Sequence, residues 1–203
     1  MKRIFLLFIA YIFFVSGHAQ FMVTPDGLRS EFDENIESVA ITIPNSTKDL
    51  LYDVTYRYLI NERQDIVQYT KNKTLAFRID DTNFITIQKP GNDKPAYAIY
   101  EVVLKFDDNK IEYKIAALQM PVENSKYTIL FKGNLKDGYP IYNNKLKLVR
   151  QREKLLIEWY FNDNFKHFKN EITKNVNIVM PKQNSKQVLK FEDGLYIIEN
   201  MPD

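Results

Sequence analysis

The segment EWYFNDNFKHFKNEI, Glu158 to Ile172, holds Trp159, the only tryptophan of the 203-residue chain, and His167, one of its two histidines, among four further aromatic rings. Histidine is the side chain best suited to proton transfer near neutral pH, but it needs a nucleophile or carboxylate within reach. His167 lies in NFKHFKN with no nucleophile elbow beside it, and G-x-S-x-G occurs nowhere. The chain has no cysteine, so thiol catalysis is closed and His/Cys zinc sites nearly so. Paired carboxylates are the remaining route to hydrolysis, because two acids about 5 to 9 Å apart can divide the acid and nucleophile roles. Asp80–Asp81 and Asp107–Asp108 are adjacent pairs. Both fall in segments that read as hairpin turns, where aspartate accepts hydrogen bonds from its own backbone. DDTN, DDNK and NDN lack the ligand spacing of a calcium loop, and KPGNDKP has one glycine where a phosphate cradle needs several. The sequence thus predicts no catalytic residues, no metal ligands and no cofactor. A hydrolase with a non-contiguous carboxylate pair is the alternative.

The elements that would position any site are easier to read. SVAITIP, Ser38 to Pro44, alternates apolar and small residues at the strand period, and Ser46 then starts a helix with Leu51, Val54, Thr55, Tyr58 and Leu59 on one face. DIVQYT, TLAFRID and NFITIQ read as strands separated by polar turns, the second turn at Asp80 to Asn83. AYAIYEVVLKF and KIEYKIAAL flank Asp108-Asn109. A two-residue turn there sets Phe106 against Ile111, Leu104 against Tyr113 and Val102 against Ile115, with Lys105 facing Glu112 on the other side. Apolar pairs on one face and opposite charges on the other specify an antiparallel sheet with one packed and one wet side. The fold class is α+β: an antiparallel sheet of five to six strands, one face covered by two helices. QVLKF and LYIIE add a short C-terminal β extension over 176–203.

Residues 1–19 have Lys2 and Arg3 ahead of an apolar run from Ile4 to Val15, then small residues up to Ala19, the pattern of a secretory signal peptide cleaved near Ala19. The run is too short for a spanning helix. A secreted or periplasmic product without a transmembrane segment is expected. Removing those residues takes two basic side chains and no acidic ones, leaving 26 of each sign. Nucleic-acid binding, which requires a strongly basic face, is not expected. Residues 20–36 read as a flexible N-terminal segment and 37–175 as the main domain.

The order of a strand ending in Ile-Pro, then NSTKDLLYDVTYRYL, DIVQYTKNKTLAFRI and YEVVLKFDDNKIEYKIAAL, over roughly Ser38 to Leu118, resembles the secreted Bacteroidetes family catalogued as domain of unknown function 4468, described as TBP-like in fold. The resemblance implies a helix-covered antiparallel sheet and an envelope location. It carries over no functional residues.

On these grounds the expected role is an exported binding or interaction module whose partner is an envelope protein or small ligand. Its candidate surface is the open sheet face with Arg78, Tyr97, Glu101, Lys105 and Lys114, or the loops Gln88 to Ala96 and Gly133 to Asn144. On a helical wheel begun at Lys145, Leu148, Val149, Leu155, Leu156, Trp159 and Tyr160 share one arc. Phe161, Phe165, Phe168 and Ile172 fall almost opposite. The pattern predicts that Trp159 packs on the sheet, that the helix kinks, restarts or turns its other face to the C-terminal tail near Asn162 to Asn164, and that an exposed Phe stripe would mark a homodimer contact.

Overall fold

The structure, a computed structural model, describes residues 21–88 and 93–180, with the backbone of two further strands at 187–192 and 195–200. The expected signal peptide and the centre of the Gln88 to Ala96 loop lie outside the described residues. A five-stranded sheet has the order β3-β7-β6-β5-β4, formed by β3 (Ser38–Thr42), β4 (Asp65–Thr70), β5 (Thr74–Ile87), β6 (Lys94–Asp107) and β7 (Lys110–Gln119). Two helices accompany it, α1 (Lys48–Asn61) and α2 (Gln151–Val179), so the α+β class holds. The remaining strands form two-stranded pairs: β1 (Phe21–Thr24) with β2 (Gly27–Ser30), β8 (Ile129–Gly133) with β9 (Tyr139–Asn143), and β10 (Gln187–Glu192) with β11 (Leu195–Asn200). The last is the expected C-terminal hairpin.

The chain divides into two compact units. One gathers Asp80–Tyr100 and Lys114–Asn162 with the described residues up to Ala40, and the other gathers Ile41–Ile79 and Glu101–Tyr113 with the described residues from Asp163.

The second unit is organised by rings and by one turn. Asn109 takes φ 62, a left-handed position that asparagine tolerates at low cost, and so closes β6 onto β7 in the two-residue turn read from the sequence. That turn also starts α1. Asp108 Oδ1 accepts from Lys48 N at 2.9 Å, satisfying an amide that the first turn of the helix leaves orphaned, and Asn109 Oδ1 accepts from Ser46 N at 3.1 Å just before the cap. The helix cap is Thr47, whose Oγ1 accepts from Leu50 N, one residue later than expected; Ser46 instead donates to Ile43 O. Tyr52, which is not among the face residues read from the sequence, is buried edge-on to Phe106. Lys105 meets Glu112 at 3.9 Å, as the hairpin register required. Phe168 of α2 touches Tyr58, Phe77 and Tyr113, and Phe165 packs edge-on to Tyr113.

The first unit contains most of the departures. Residues 21–30, expected to be flexible, form the β1–β2 hairpin with Phe21, Val23 and Leu28 buried. The Asp80 to Asn83 segment is no turn: β5 runs through it. Asp81 Oδ2 accepts the Tyr160 hydroxyl at 2.7 Å and its Oδ1 accepts Asn83 N, so the strand carries its polar residues without leaving them unsatisfied. The segment Gly133 to Asn144, expected as a loop, contains β9, paired in parallel with β8 across a connection of only Asn134 to Gly138.

The 29-residue α2 has no break at Asn162 to Asn164. Its buried positions, Glu153, Ile157, Tyr160, Phe161, Phe165, Phe168, Ile172 and Val176, follow one continuous three-and-four spacing. Trp159 lies opposite and is 65 % exposed, which corrects the expectation that it packs on the sheet. Phe161, Phe165, Phe168 and Ile172 are at most 5 % exposed, so they are spent inside the chain and present no dimer face.

Candidate functional site

β7 outlasts its neighbour. It has ten residues and β3 has five, so at least five residues of β7 have no β3 partner on that side. An unpaired strand edge presents a row of backbone donors and acceptors. Beside this edge lies a cavity of about 320 Å³ lined by Asp26 to Arg29, Glu37, Lys114 to Leu118 and Phe131. Along it the regular burial of β7 lapses after Lys114, and Ala117 adopts φ 50, a left-handed position that interrupts the pleat.

One wall is set by the β1–β2 hairpin. Pro25-Asp26-Gly27 makes the turn, with Gly27 at φ 125, and Thr24 Oγ1 donates to Gly27 O at 2.9 Å. The hairpin is tied to α2 by side chains acting on its backbone. Asn162 accepts from Phe21 N at 2.7 Å and donates to Phe21 O at 2.9 Å, while Glu158 accepts from Val23 N at 2.8 Å. Tyr142 completes the anchor by donating to Val23 O at 3.0 Å.

The anchored hairpin aims Arg29 into the cavity. Its guanidinium donates to Leu28 O and Asp26 O, both at 3.2 Å, and pairs with Glu37 Oε1 at 3.0 Å. Lys114 donates to the other carboxylate oxygen of Glu37. The Lys114 hydrogen bond and charge, with a smaller contribution from Arg29, hold the Glu37 carboxyl below the usual range. The arrangement offers backbone pairing along one wall and a fixed cation–anion–cation relay at its end. Its lining has no hydroxyl or thiol. Such a surface has the geometry to take an extended chain with a charged group.

The chemistry buried elsewhere in this unit is also structural. Tyr160 donates to Asp81, and its hydroxyl lies 3.4 Å from that of Tyr100. Burial pushes the Tyr100 phenol up to about 12, and burial together with Tyr100 raises Tyr160 further. Both remain neutral hydrogen-bonding groups at physiological pH.

Of the five residues singled out on the open sheet face, Lys114 alone lines this cavity. Tyr97 belongs to the same unit, half-buried, its phenol raised by partial burial and by a hydrogen bond to Glu123. Arg78, Glu101 and Lys105 belong to the other unit. There Arg78 stands opposite Asp65 in the β4–β5 register, and Lys105 shares Glu112 with Lys110 at 2.6 Å. Glu37 and Arg29 were not anticipated; the Pro-Asp-Gly turn between FMVT and GLRS was the signal that could have found the hairpin carrying Arg29. His167 is an exposed position of α2. Among the described residues no three His, Asp or Glu side chains converge as metal ligands, and no helix is long and apolar enough to cross a membrane.

No family model and no curated relative matches the sequence. Among solved structures, the chain is similar to a DUF4468 family protein from Bacteroides ovatus, with a TM-score of 0.47 at 15 % identity, covering 72 % of this chain and 87 % of that one. It is also similar to a TBP-like protein from Parabacteroides distasonis, with a TM-score of 0.43 at 10 % identity, covering 69 % and 90 %. These are the family and fold descriptions that residues 38–118 resemble.

Proposed function

We propose that this chain is an exported, non-catalytic interaction module of the bacterial cell envelope, which takes an extended partner segment along the open edge of β7. The observation that carries the reading is the mismatch between a ten-residue strand and its five-residue neighbour, with a lined cavity beside the unmatched half. The leader pattern up to Ala19 supports export. The carboxylates themselves support a non-catalytic role, because they are engaged in holding the fold: Glu37 between Arg29 and Lys114, Glu158 with Lys154 and Val23 N, Asp81 with Tyr160, and Asp108 at the start of α1.

A photoreactive phenylalanine analogue tests this when placed at Leu118 and, as a control on the wet sheet face, at Lys105. In envelope fractions the first is expected to yield one discrete adduct that Lys114→Glu weakens. Equal labelling from both positions, or none from Leu118, would remove the groove from consideration.

A further inference from the structure

A second surface in the first unit is built differently. The connection from β8 to its parallel partner β9 is Asn134 to Gly138, far shorter than the crossover that parallel strands usually need. It closes so tightly that a Cβ on Gly138 would stand 2.6 Å from the Thr128 carbonyl oxygen. This tight return pushes Leu135 into solvent, 71 % exposed. After β9 the chain turns again. Asn143 Oδ1 accepts from Lys145 N at 2.9 Å and Lys147 N at 3.0 Å, and Leu146 N donates to Asn143 O at 2.9 Å. The turn holds Leu146 at φ 61 and 56 % exposed. Glycine or asparagine would occupy that backbone position more cheaply, and a leucine there also gives up its burial. Asn144 Nδ2 donates to Asn134 Oδ1 at 2.9 Å, clasping the two turns side by side. Beside them is a cavity of about 510 Å³ lined chiefly by Leu135, Pro140, Val149 and Lys136.

We propose that these clasped tips are a docking surface for an anionic lipid bilayer, with Leu135 and Leu146 entering the headgroup and acyl boundary. Charge selects that occupant. Lys132, Lys136, Lys145 and Lys147 are all exposed around the two leucines, and Asp137 is the only acid in either turn. Apolar tips ringed by cations match the interfacial pattern of peripheral membrane proteins. Both turns are held rigidly by backbone and asparagine hydrogen bonds, so little ordering is needed on contact. The surface is independent of the β7 groove: either reading can fail alone.

Vesicle co-sedimentation of the full chain tests it, comparing neutral phosphatidylcholine with the same lipid containing about 30 mol % phosphatidylglycerol. Every variant keeps the N-terminal apolar run, so the comparison is among substitutions in one background. The wild type is expected to bind the anionic vesicles beyond the neutral ones and to be released by salt. Leu135→Ser with Leu146→Gly should weaken that binding roughly tenfold. Leu146→Gly alone should not lower the thermal midpoint, since glycine relaxes the backbone. Lys136→Ala and Lys145→Ala should each cost about fivefold. Equal binding to the two vesicle types overturns the proposal. So does anionic binding that survives loss of both leucines, or that polyglutamate matches with the leucine variants unaffected, since those results describe a cation patch for an acidic polymer.

Discussion

The two halves of α2 obey the same spacing rule and hold their units by different means. From Glu153 to Asn162 the helix buries Ile157, Tyr160 and Phe161, the two rings packed on Phe84 and Tyr100, and adds polar side chains with specific partners: Glu158 and Asn162 grip β1, and Tyr160 satisfies Asp81. From Phe165 to Val176 every buried side chain is a ring or an aliphatic, with Phe168 making three ring contacts. Apolar burial is strong and tolerant of small shifts, whereas a hydrogen bond to a particular amide fixes a particular register. Apolar burial therefore stabilises both units, and in the second half it acts without buried polar contacts. The polar side chains of the first half also specify where a short hairpin, too small to hold itself, must lie.

Phe168→Ala breaks the comparison at its stronger end. Removing a ring that touches Tyr58, Phe77 and Tyr113 should cost about 3–5 kcal/mol by denaturant unfolding, through lost burial and the cavity left behind. A cost below about 1 kcal/mol would mean that the stripe is not the core of its unit. Asn162→Ala probes the polar half. It leaves Phe21 N and O without their amide partner and should cost about 1–3 kcal/mol, with faster hydrogen exchange at β1 exceeding the global change. Asn162→Asp keeps the acceptor for Phe21 N and loses the donor, so it should fall between the wild type and alanine.

Titration sharpens the same contrast. Tyr100 has its folded pKa raised from 10.0 to about 12, so folded and unfolded chains are equally protonated below pH 10. Above that the unfolded chain ionises first, and stability is lost as pH rises from about 10 to 12. Urea midpoints should fall across that window, and Tyr100→Phe should flatten the fall. The Glu37 carboxyl is shifted the other way: its folded pKa lies below 4.5, so its contribution is present above the carboxylate range and disappears as pH drops. Because Glu37 and Lys114 are each 43 % exposed, Glu37→Gln should remove less than about 1 kcal/mol, with the difference gone in acid.

Much of the scaffold was legible because its period is clean. β6 alternates buried with half-buried or exposed positions from Ala96 to Asp107 without an error, and its turn residues Asp108-Asn109 are of the types the geometry needs. Polar clusters were the weak point. Asp80 to Asn83 looked like a turn since nothing local shows that a tyrosine 79 residues away satisfies Asp81. The groove escaped notice for a related reason: an open edge is a relation between two strand lengths, and Arg29 and Lys114 meet Glu37 only through tertiary placement. The docking loops were named as a region, but β9 within them was hidden by Pro140 and by a connection too short for the usual parallel pair.

The rotation of α2 went astray through its starting point. Leu148 and Val149 were counted on the helical wheel, yet the helix begins at Gln151; Leu148 bridges to Tyr142 and Val149 N donates to Ile141 O. Including them pulled the inferred apolar arc toward Leu155 and Trp159, which are 52 % and 65 % exposed. Once those two residues are left out, the spacing from Glu153 to Val176 needs no kink. Trp159 then becomes the control for the whole comparison, a large ring on the helix that neither half uses. Trp159→Ala should change stability by no more than about 0.5 kcal/mol, as for a surface position without partners in the fold. As the chain's only tryptophan, its emission should lie close to that of the unfolded protein and be quenched readily by iodide. A blue-shifted, protected emission, or a loss comparable to Phe168→Ala, would return Trp159 to the core and require the helix to be turned by about half a revolution.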